Sequence, residues 1–321
     1  MNQIVVLDGY TLNPGDISWE PFEQLGKVTI YGHTPAELIA QRCKGARAVI
    51  SNKTVLDRGA IEGLEGVEYI GLLSTGYNVV DLEAAEKCGI TVTNVPAYSS
   101  AAVAQHTFAL LFALTNHVEL HSAAVHDGCW SDPRYFCFWE APLIELAGKT
   151  MGIVGFGDIG RRVAAIAKSL GMRVVANSRT PFTAEGIPCL PLPELFACSD
   201  AVSFHCPLTE QTAGLCNKHS LGMMKKTAFV LNTSRGGVVV EQDLADALNQ
   251  GAISGAALDV MEKEPPIGSP LLTAKNCIIT PHIAWAATQT RERLMHEAAQ
   301  NLSAFFQGQR RNCLTRRGEE R

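Results

Sequence analysis

Three charged side chains in the last third of the chain are of the types needed to reduce a carbonyl. Arg235 lies in "LNTSRGG", Glu264 in "ALDVMEKEPP" and His282 in "TPHIAWAA". A guanidinium keeps its charge and can grip both oxygens of a carboxylate in a fork. Hydride addition to a ketone leaves an alkoxide that needs a proton, and histidine is suited to donate one near neutral pH. A carboxylate beside that histidine would raise its pKa and hold one tautomer. The set suits a 2-keto acid, provided the fold brings the three residues together. Each also has a plainer reading: a surface ion pair, a loop charge before Pro265 and Pro266, and a core histidine after Pro281.

The hydride needs a carrier, and "GIVGFGDIGRRVAAIAKSLG" offers a place for one. Gly155, Gly157 and Gly160 stand as G-x-G-x-x-G after an apolar strand and before an amphipathic helix. Gly155 permits the tight turn, Gly157 admits a pyrophosphate to the backbone, and Gly160 lets helix and strand approach. Phe156, Asp158 and Ile159 complete the turn. The helix N-terminus presents amides and a positive dipole end to phosphates. The charge of Asp158 is unfavourable there, so backbone amides must do the binding or the carboxylate must point away.

After the next strand, a dinucleotide site often places an acid on the ribose hydroxyls. Here the chain has Ser178, Arg179 and Thr180. A carboxylate would repel a 2′-phosphate, whereas serine does not, and Arg179 and Thr180 can bond one. The pattern leans to NADPH over NADH. The alternative is that Arg179 stacks on adenine or faces solvent, and either cofactor is accepted.

The elements that must hold these residues form two alternating series. "QIVVLD", "KVTIY", "ARAVIS", "EYIGLL" and "ITVTNV" are predicted strands, with helices in "PAELIAQRC", "VLDRGAIEGL" and "DLEAAEKCG". Short apolar runs divided by helices predict a parallel sheet covered on both faces. A long helix is expected from about Ser99 to Asp127. A second series of strands follows from Lys149: "TMGIVGFG", "MRVVANS", "DAVSFHC", "TAFVLNT", "SGAALDV" and "CIITPH". A final helix is expected from about Thr288 to Gln307. Between the two series, "GCWSDPRYFCFWEAPLIEL" carries Trp130, Tyr135, Phe136, Phe138 and Trp139. These aromatics must pack on their own domain or bury against a second subunit, and the subunit contact is favoured.

Composition narrows the class. The chain has 321 residues, 46% hydrophobic and 18% charged, with a net charge of −5. That suits two globular domains, with neither nucleic acid nor an anionic membrane as partner. The ten cysteines include no C-x-x-C pair and fit a reducing, cytoplasmic setting. The N-terminal segment lacks the features of a signal peptide, and "AAVAQHTFALLFALTNHVEL" reads as a buried helix with polar interruptions. The end "RRNCLTRRGEER" reads as a solvated tail, with Glu319 and Glu320 offsetting part of its basicity. His117 and His121 are spaced i, i+4, and His106 and His126 lie nearby, but no third ligand at a recognisable spacing makes a metal site, so none is expected. No G-x-S-x-G elbow supports a hydrolase, and Thr233 and Ser234 read as part of the cofactor loop.

In their order, "GFGDIG", "NTSRGG", "LDVMEKEPP" and "PHIAWA" resemble the motifs of the D-isomer-specific 2-hydroxyacid dehydrogenases over essentially the whole chain. With the aromatic segment, "PHIAWA" is similar to the glycerate dehydrogenase (hydroxypyruvate reductase) branch. The resemblance implies that Arg235 binds substrate, Glu264 supports His282, and His282 is the acid/base. It implies that Asp259 bonds the nicotinamide carboxamide and that His205, Cys206 and Pro207 of "HCPLT" line the cofactor groove, with His282 and Ala284 also against the cofactor. It assigns Ser74, Thr75 and Gly76 of "LLSTGYN" to the substrate carboxylate, through backbone amides. Trp285 could wall the pocket and favour a small hydroxylated keto acid such as hydroxypyruvate over a bulky one; glyoxylate is the other small 2-oxo acid that the branch implies. The implied architecture is α/β with two Rossmann-like domains: residues 1–98 with 288–321 on the substrate side, and 99–287 binding NAD(P), with a cleft between them. The segment 122–147 resembles a dimerisation arm. Two other readings stay open: a dehydrogenase of a different 2-hydroxy acid, or a non-catalytic dinucleotide sensor of the same fold.

Overall fold

The computed structural model describes residues 1–180 and 182–316; the last residues of the charged C-terminal tail lie outside the described residues. Two compact units divide the chain, Met1–Ser99 with Ala286–Arg321, and Ser100–Trp285. Each is built on one parallel sheet.

In the first unit, β1 (Gln3–Val6), β2 (Lys27–Ile30), β3 (Ala48–Ser51), β4 (Tyr69–Leu72) and β5 (Thr91–Thr93) pair in the order β2-β1-β3-β4-β5. β3 and β4 are buried at every residue, which is why their sequences are almost wholly apolar. The helix Arg58–Glu62 starts with Asp57 accepting from the Ala60 amide, and Leu82–Lys87 starts likewise with Asp81 on Ala84. The latter ends at Gly89, whose φ of +72° makes the left-handed stop expected of glycine. The helix Thr288–Phe306 returns to this unit. Its buried Arg291 grips both oxygens of Asp16 and the Leu12 carbonyl, and Phe305 meets Tyr69 with ring centroids 5.0 Å apart.

In the second unit, β6 (Thr150–Val154), β7 (Arg173–Asn177), β8 (Ala201–Phe204), β9 (Phe229–Asn232), β10 (Gly255–Leu258) and β11 (Cys277–Ile279) pair in the order β11-β10-β9-β8-β6-β7. Successive side chains alternate faces. Val154, Val202, Phe204 and Val230 enter one core layer, and Met151, Ile153, Ala176 and Leu231 the other. Each fully buried Val, Leu or Ile stabilises by about 1.5–3 kcal/mol. The chain order reverses beside β6, with β7 on one flank and β8 on the other. In an open α/β sheet, ligands bind outside the strand C-termini at such a switch point.

One expectation needs correction. The single helix from Ser99 to Asp127 is two helices, Ser100–Asn116 and Val118–His126. His117 separates them with a φ of +48°, a left-handed conformation no continuous α-helix contains. The short helices Leu192–Cys198, Lys218–Met223 and Glu241–Asn249 carry the crossovers between the later strands. No described helix is long and apolar enough to cross a membrane.

Candidate active site

The glycine-rich turn follows β6 and opens the helix Asp158–Ser169. Gly155 has φ +98°, and a Cβ there would lie 2.6 Å from the Cys206 amide nitrogen. A Cβ on Gly160 would lie 2.2 Å from the Gly155 carbonyl oxygen. By contrast, nothing lies within 4 Å of where a Gly157 Cβ would be, and Gly157 gives the helix no side-chain cap. Open space beside uncapped first-turn amides fits a pyrophosphate. Asp158 turns to its own side: its carboxylate takes a hydrogen bond from Arg162 Nε at 3.3 Å. A hydrogen bond from Ser100 is the chief cause that holds its pKa low, partly opposed by desolvation and assisted by Arg162.

Past β7, Ser178 is half-buried and Arg179 and Thr180 are exposed. Phe182 anchors this corner by stacking on Phe156, centroids 4.2 Å apart, and the Arg161 guanidinium lies 4.8 Å over the Phe156 ring. The Phe156 side chain is therefore committed to the core, leaving its backbone for a ligand. Ile159 likewise lies against the core.

At the end of β8, His205 Nε2 bonds Ser203 Oγ at 2.8 Å. Burial pushes the His205 pKa down to about 3, so this imidazole is neutral at physiological pH. Burial also raises the neighbouring Cys206 thiol to about 11. Leu208 covers Gly237, where a Cβ would stand 3.1 Å from Leu208 Cδ2. Pro207 accepts a hydrogen bond from Thr212 Oγ1 at its carbonyl.

The loop after β9 is shaped by Asn232, which is fully buried. Its Oδ1 accepts from the Ser234 amide and hydroxyl, and its Nδ2 donates to the Arg235 carbonyl. Thr233 Oγ1 meets Thr107 Oγ1 at 3.1 Å. Arg235 is half-buried, and its Nη1 donates to the Ser234 carbonyl. Gly236 brings this loop against the next: a Cβ there would fall 1.9 Å from the Met261 carbonyl carbon. The Met261 amide in turn donates to Glu264 Oε1 at 3.1 Å. The loops carrying Arg235 and Glu264 thus touch backbone to backbone.

Glu264 Oε2 accepts from His282 Nδ1 at 2.7 Å. That bond fixes the protonated Nδ1 toward the carboxylate and turns Nε2 the other way. His282 itself has φ +56°. Its turn is braced by Asp259, which is 1% exposed. Asp259 Oδ1 accepts from Thr280 Oγ1 at 2.6 Å and the Ile283 amide at 2.9 Å, and Oδ2 from the Ala284 amide at 2.8 Å. His106 Nε2 lies 3.5 Å from Oδ1 and 3.0 Å from Thr280 Oγ1. Desolvation opposes ionisation of Asp259, but the hydrogen bonds from His106, Thr280, Ala284 and Ile283 outweigh it and lower its pKa. Trp285 spends its indole N–H on the His282 carbonyl at 2.9 Å, so it can offer a substrate only ring surface.

Asn232, Thr280 and His106 were not singled out for the site by sequence. A signal existed for the first two, since both stand beside the motifs of Arg235 and His282. For His106 there was none, because its partners lie far along the chain. His121 is also accounted for: Nδ1 bonds the His117 carbonyl and Nε2 accepts from the Glu140 amide. In the first unit, the loop after β4 spends its hydroxyls on backbone carbonyls. Ser74 Oγ donates to the Gly76 carbonyl and Thr75 Oγ1 to the Val95 carbonyl.

Comparison with known proteins agrees with this chemistry. Residues 108–284 match the family described as D-isomer specific 2-hydroxyacid dehydrogenase, NAD binding domain. The chain is 46% identical over 313 residues to a hydroxypyruvate reductase of Blautia hydrogenotrophica, covering 95% of this chain and 97% of that one. It is 35% identical over 284 residues to a glycerate dehydrogenase of Methylorubrum extorquens, covering 88% and 89%. Among solved structures, an acyclic imino acid reductase in complex with NADPH and D-Arg superposes with a TM-score of 0.83 at 29% identity, covering 97% and 99%.

Replacing Asp259 with Asn tests the brace. An amide offers one acceptor where two oxygens now accept, so a backbone N–H loses its partner. The variant should lose about 2–4 kcal/mol at pH 7. A depressed carboxylate contributes stability above its unfolded pKa of about 3.9 and loses it as pH falls through the lower folded value. The deficit should therefore narrow under acid conditions. Equal urea midpoints for both proteins at pH 7 would refute the role.

Proposed function

The chain belongs to the D-isomer specific 2-hydroxyacid dehydrogenase family, and from that premise we propose that it reduces hydroxypyruvate or glyoxylate, with NADPH as the preferred cofactor. It is an oxidoreductase that uses a nicotinamide dinucleotide to interconvert 2-keto and D-2-hydroxy acids. The observation that carries the catalytic reading is the 2.7 Å bond between Glu264 and His282, on the loop that touches the Arg235 loop.

The residues divide the work by their chemistry. Arg235 clamps the keto acid through its fork of N–H donors. Backbone amides of Ser74, Thr75 and Gly76 hold the substrate carboxylate. When bound, the reduced nicotinamide supplies the hydride. His282 donates its Nε2 proton to the forming alkoxide, and the Glu264 carboxylate stabilises the imidazolium before that transfer. In the oxidative direction, neutral His282 takes the proton back at the same atom. His205 is unsuited to that role, because burial keeps it neutral. The face of Trp285 limits the pocket to a small keto acid.

The helix turn at Gly157 would hold the pyrophosphate, assisted by the backbone at Phe156, Asp158 and Ile159. Asp259 retains acceptor capacity on Oδ2 for a carboxamide. Ser178, Arg179 and Thr180 support NADPH, since exposed Arg179 has no carboxylate to oppose a 2′-phosphate there.

The reading includes a homodimer. The helix Val118–His126 has no buried residue, and Val118, Leu120 and Val125 are exposed on it. In the following segment Trp130, Tyr135, Phe136 and Trp139 are exposed as well, with Phe136 at 92%. A second copy of this chain covers them, as the resemblance of 122–147 to a dimerisation arm suggests. A cytoplasmic setting is supported by the ten free cysteines.

Three measurements test these assignments. His282→Ala should lower turnover by about 10²–10⁴ while cofactor still binds; activity within a few-fold of wild type removes the proton-donor role. Ser178→Asp should move the ratio of kcat/KM toward NADH, and an unmoved ratio means the loop does not select the cofactor. Sedimentation equilibrium should give twice the chain mass, reverting to a single chain in a Phe136→Ser, Trp139→Ser double variant. A monomeric wild type at micromolar concentration contradicts the dimer.

A further inference from the structure

We propose that Trp285 is a positioning residue for the proton donor: its indole N–H clamps the peptide from which His282 projects. The proposal rests on the reading of His282 as acid/base. The His282 backbone is left-handed, φ +56°, a region that a residue with a Cβ occupies only when its surroundings over-determine it. The peptide unit joining His282 to Ile283 is planar and turns as one body. It is gripped at both ends. The Ile283 amide donates to Asp259 Oδ1 at 2.9 Å, and the His282 carbonyl accepts from Trp285 Nε1 at 2.9 Å.

Neither grip does the task alone. One hydrogen bond leaves a peptide plane free to rock about the bonded atom, whereas one at each end fixes ψ of His282 and φ of Ile283. The next amide, Ala284, is tied to Asp259 Oδ2, and the His282 amide bonds the Thr280 carbonyl at 2.9 Å. The imidazole leaves this turn to reach Glu264 at 2.7 Å. Its ring is 27% exposed, so the backbone, more than enclosure, must set its direction. Trp285 thereby acts on the reaction through His282, in addition to any surface its ring gives the substrate.

Trp285→Phe keeps an aromatic ring and removes the N–H. The expected result is a kcat for keto-acid reduction lower by about 10–100-fold, with KM for the keto acid and cofactor affinity within about two-fold of wild type. In a His282→Ala background the same change should alter the residual rate by less than about two-fold, because the group it positions is gone. A β-(3-benzothienyl)alanine at position 285 gives the second test. It matches the indole in shape, lacks the N–H, and should reproduce the loss in kcat even where Phe disturbs the fold. The proposal is overturned if either replacement keeps kcat within about three-fold of wild type. It is also overturned if Trp285→Phe costs as much with His282 absent as with it present, which would make Trp285 only a pocket wall. Full turnover by His282→Ala alone would remove the acid/base reading beneath it, and the proposal with it.

Discussion

A carboxylate taken out of water must either give up its charge or collect donors. Asp259 collects them, and the second unit is organised around where they come from. One is a side chain from the helix Ser100–Asn116, one the hydroxyl of Thr280 at the end of β11, and two are amides from the turn beyond His282. Removing the carboxylate would leave those donors facing each other. Its burial therefore ties a helix, the end of β10 and the loop of His282 into one arrangement that cannot relax piecemeal. The low pKa of Asp259 follows from the same contacts.

The other parts of the site use the same edge of the sheet. The strands β6, β8, β9, β10 and β11 each end in a loop carrying a residue of the site, and their parallel pairing puts those ends side by side. Two glycines make the loops meet. Gly155 admits the backbone of His205 and Cys206, and Gly236 admits that of Met261 and Glu262. Side chains at either position would force apart the loops that hold Arg235 and Glu264, or the glycine-rich turn and the loop after β8. Small residues here serve the approach of backbone to backbone.

Much of this was legible in the chain. The short apolar runs became the central strands β3, β4, β6, β8, β9 and β10, which are buried at every residue, because strands buried on both faces need nearly continuous apolar sequence; the edge strand β2 is exposed or half-buried throughout. The G-x-G-x-x-G spacing announced the turn after β6: Gly155 admits the backbone of His205 and Cys206, Gly160 packs on the Gly155 carbonyl, and Gly157 leaves open space at the helix start. The break at His117 was not legible: the sequence from Ser100 to His126 has helical character throughout, and no glycine or proline marks the left-handed residue. The short helices on the later crossovers were also obscure, because six to nine residues repeat the 3.6-residue apolar period at most twice.

Residue types determined the available chemistry: a permanent cation, a carboxylate, an imidazole and the glycines of a tight turn. Local spacing signalled the strands and the glycine turn, because an apolar run and a glycine pattern are each complete within a few residues, while the backbone that Gly155 admits comes from His205 and Cys206. Only the tertiary structure decided which histidine does what. His205, His282 and His106 carry the same side chain. The first is held neutral by burial, the second faces Glu264, and the third meets Thr280 and Asp259. The hydrogen-bond partner of an imidazole can come from as far as 174 residues along the chain, and no local pattern carries that information.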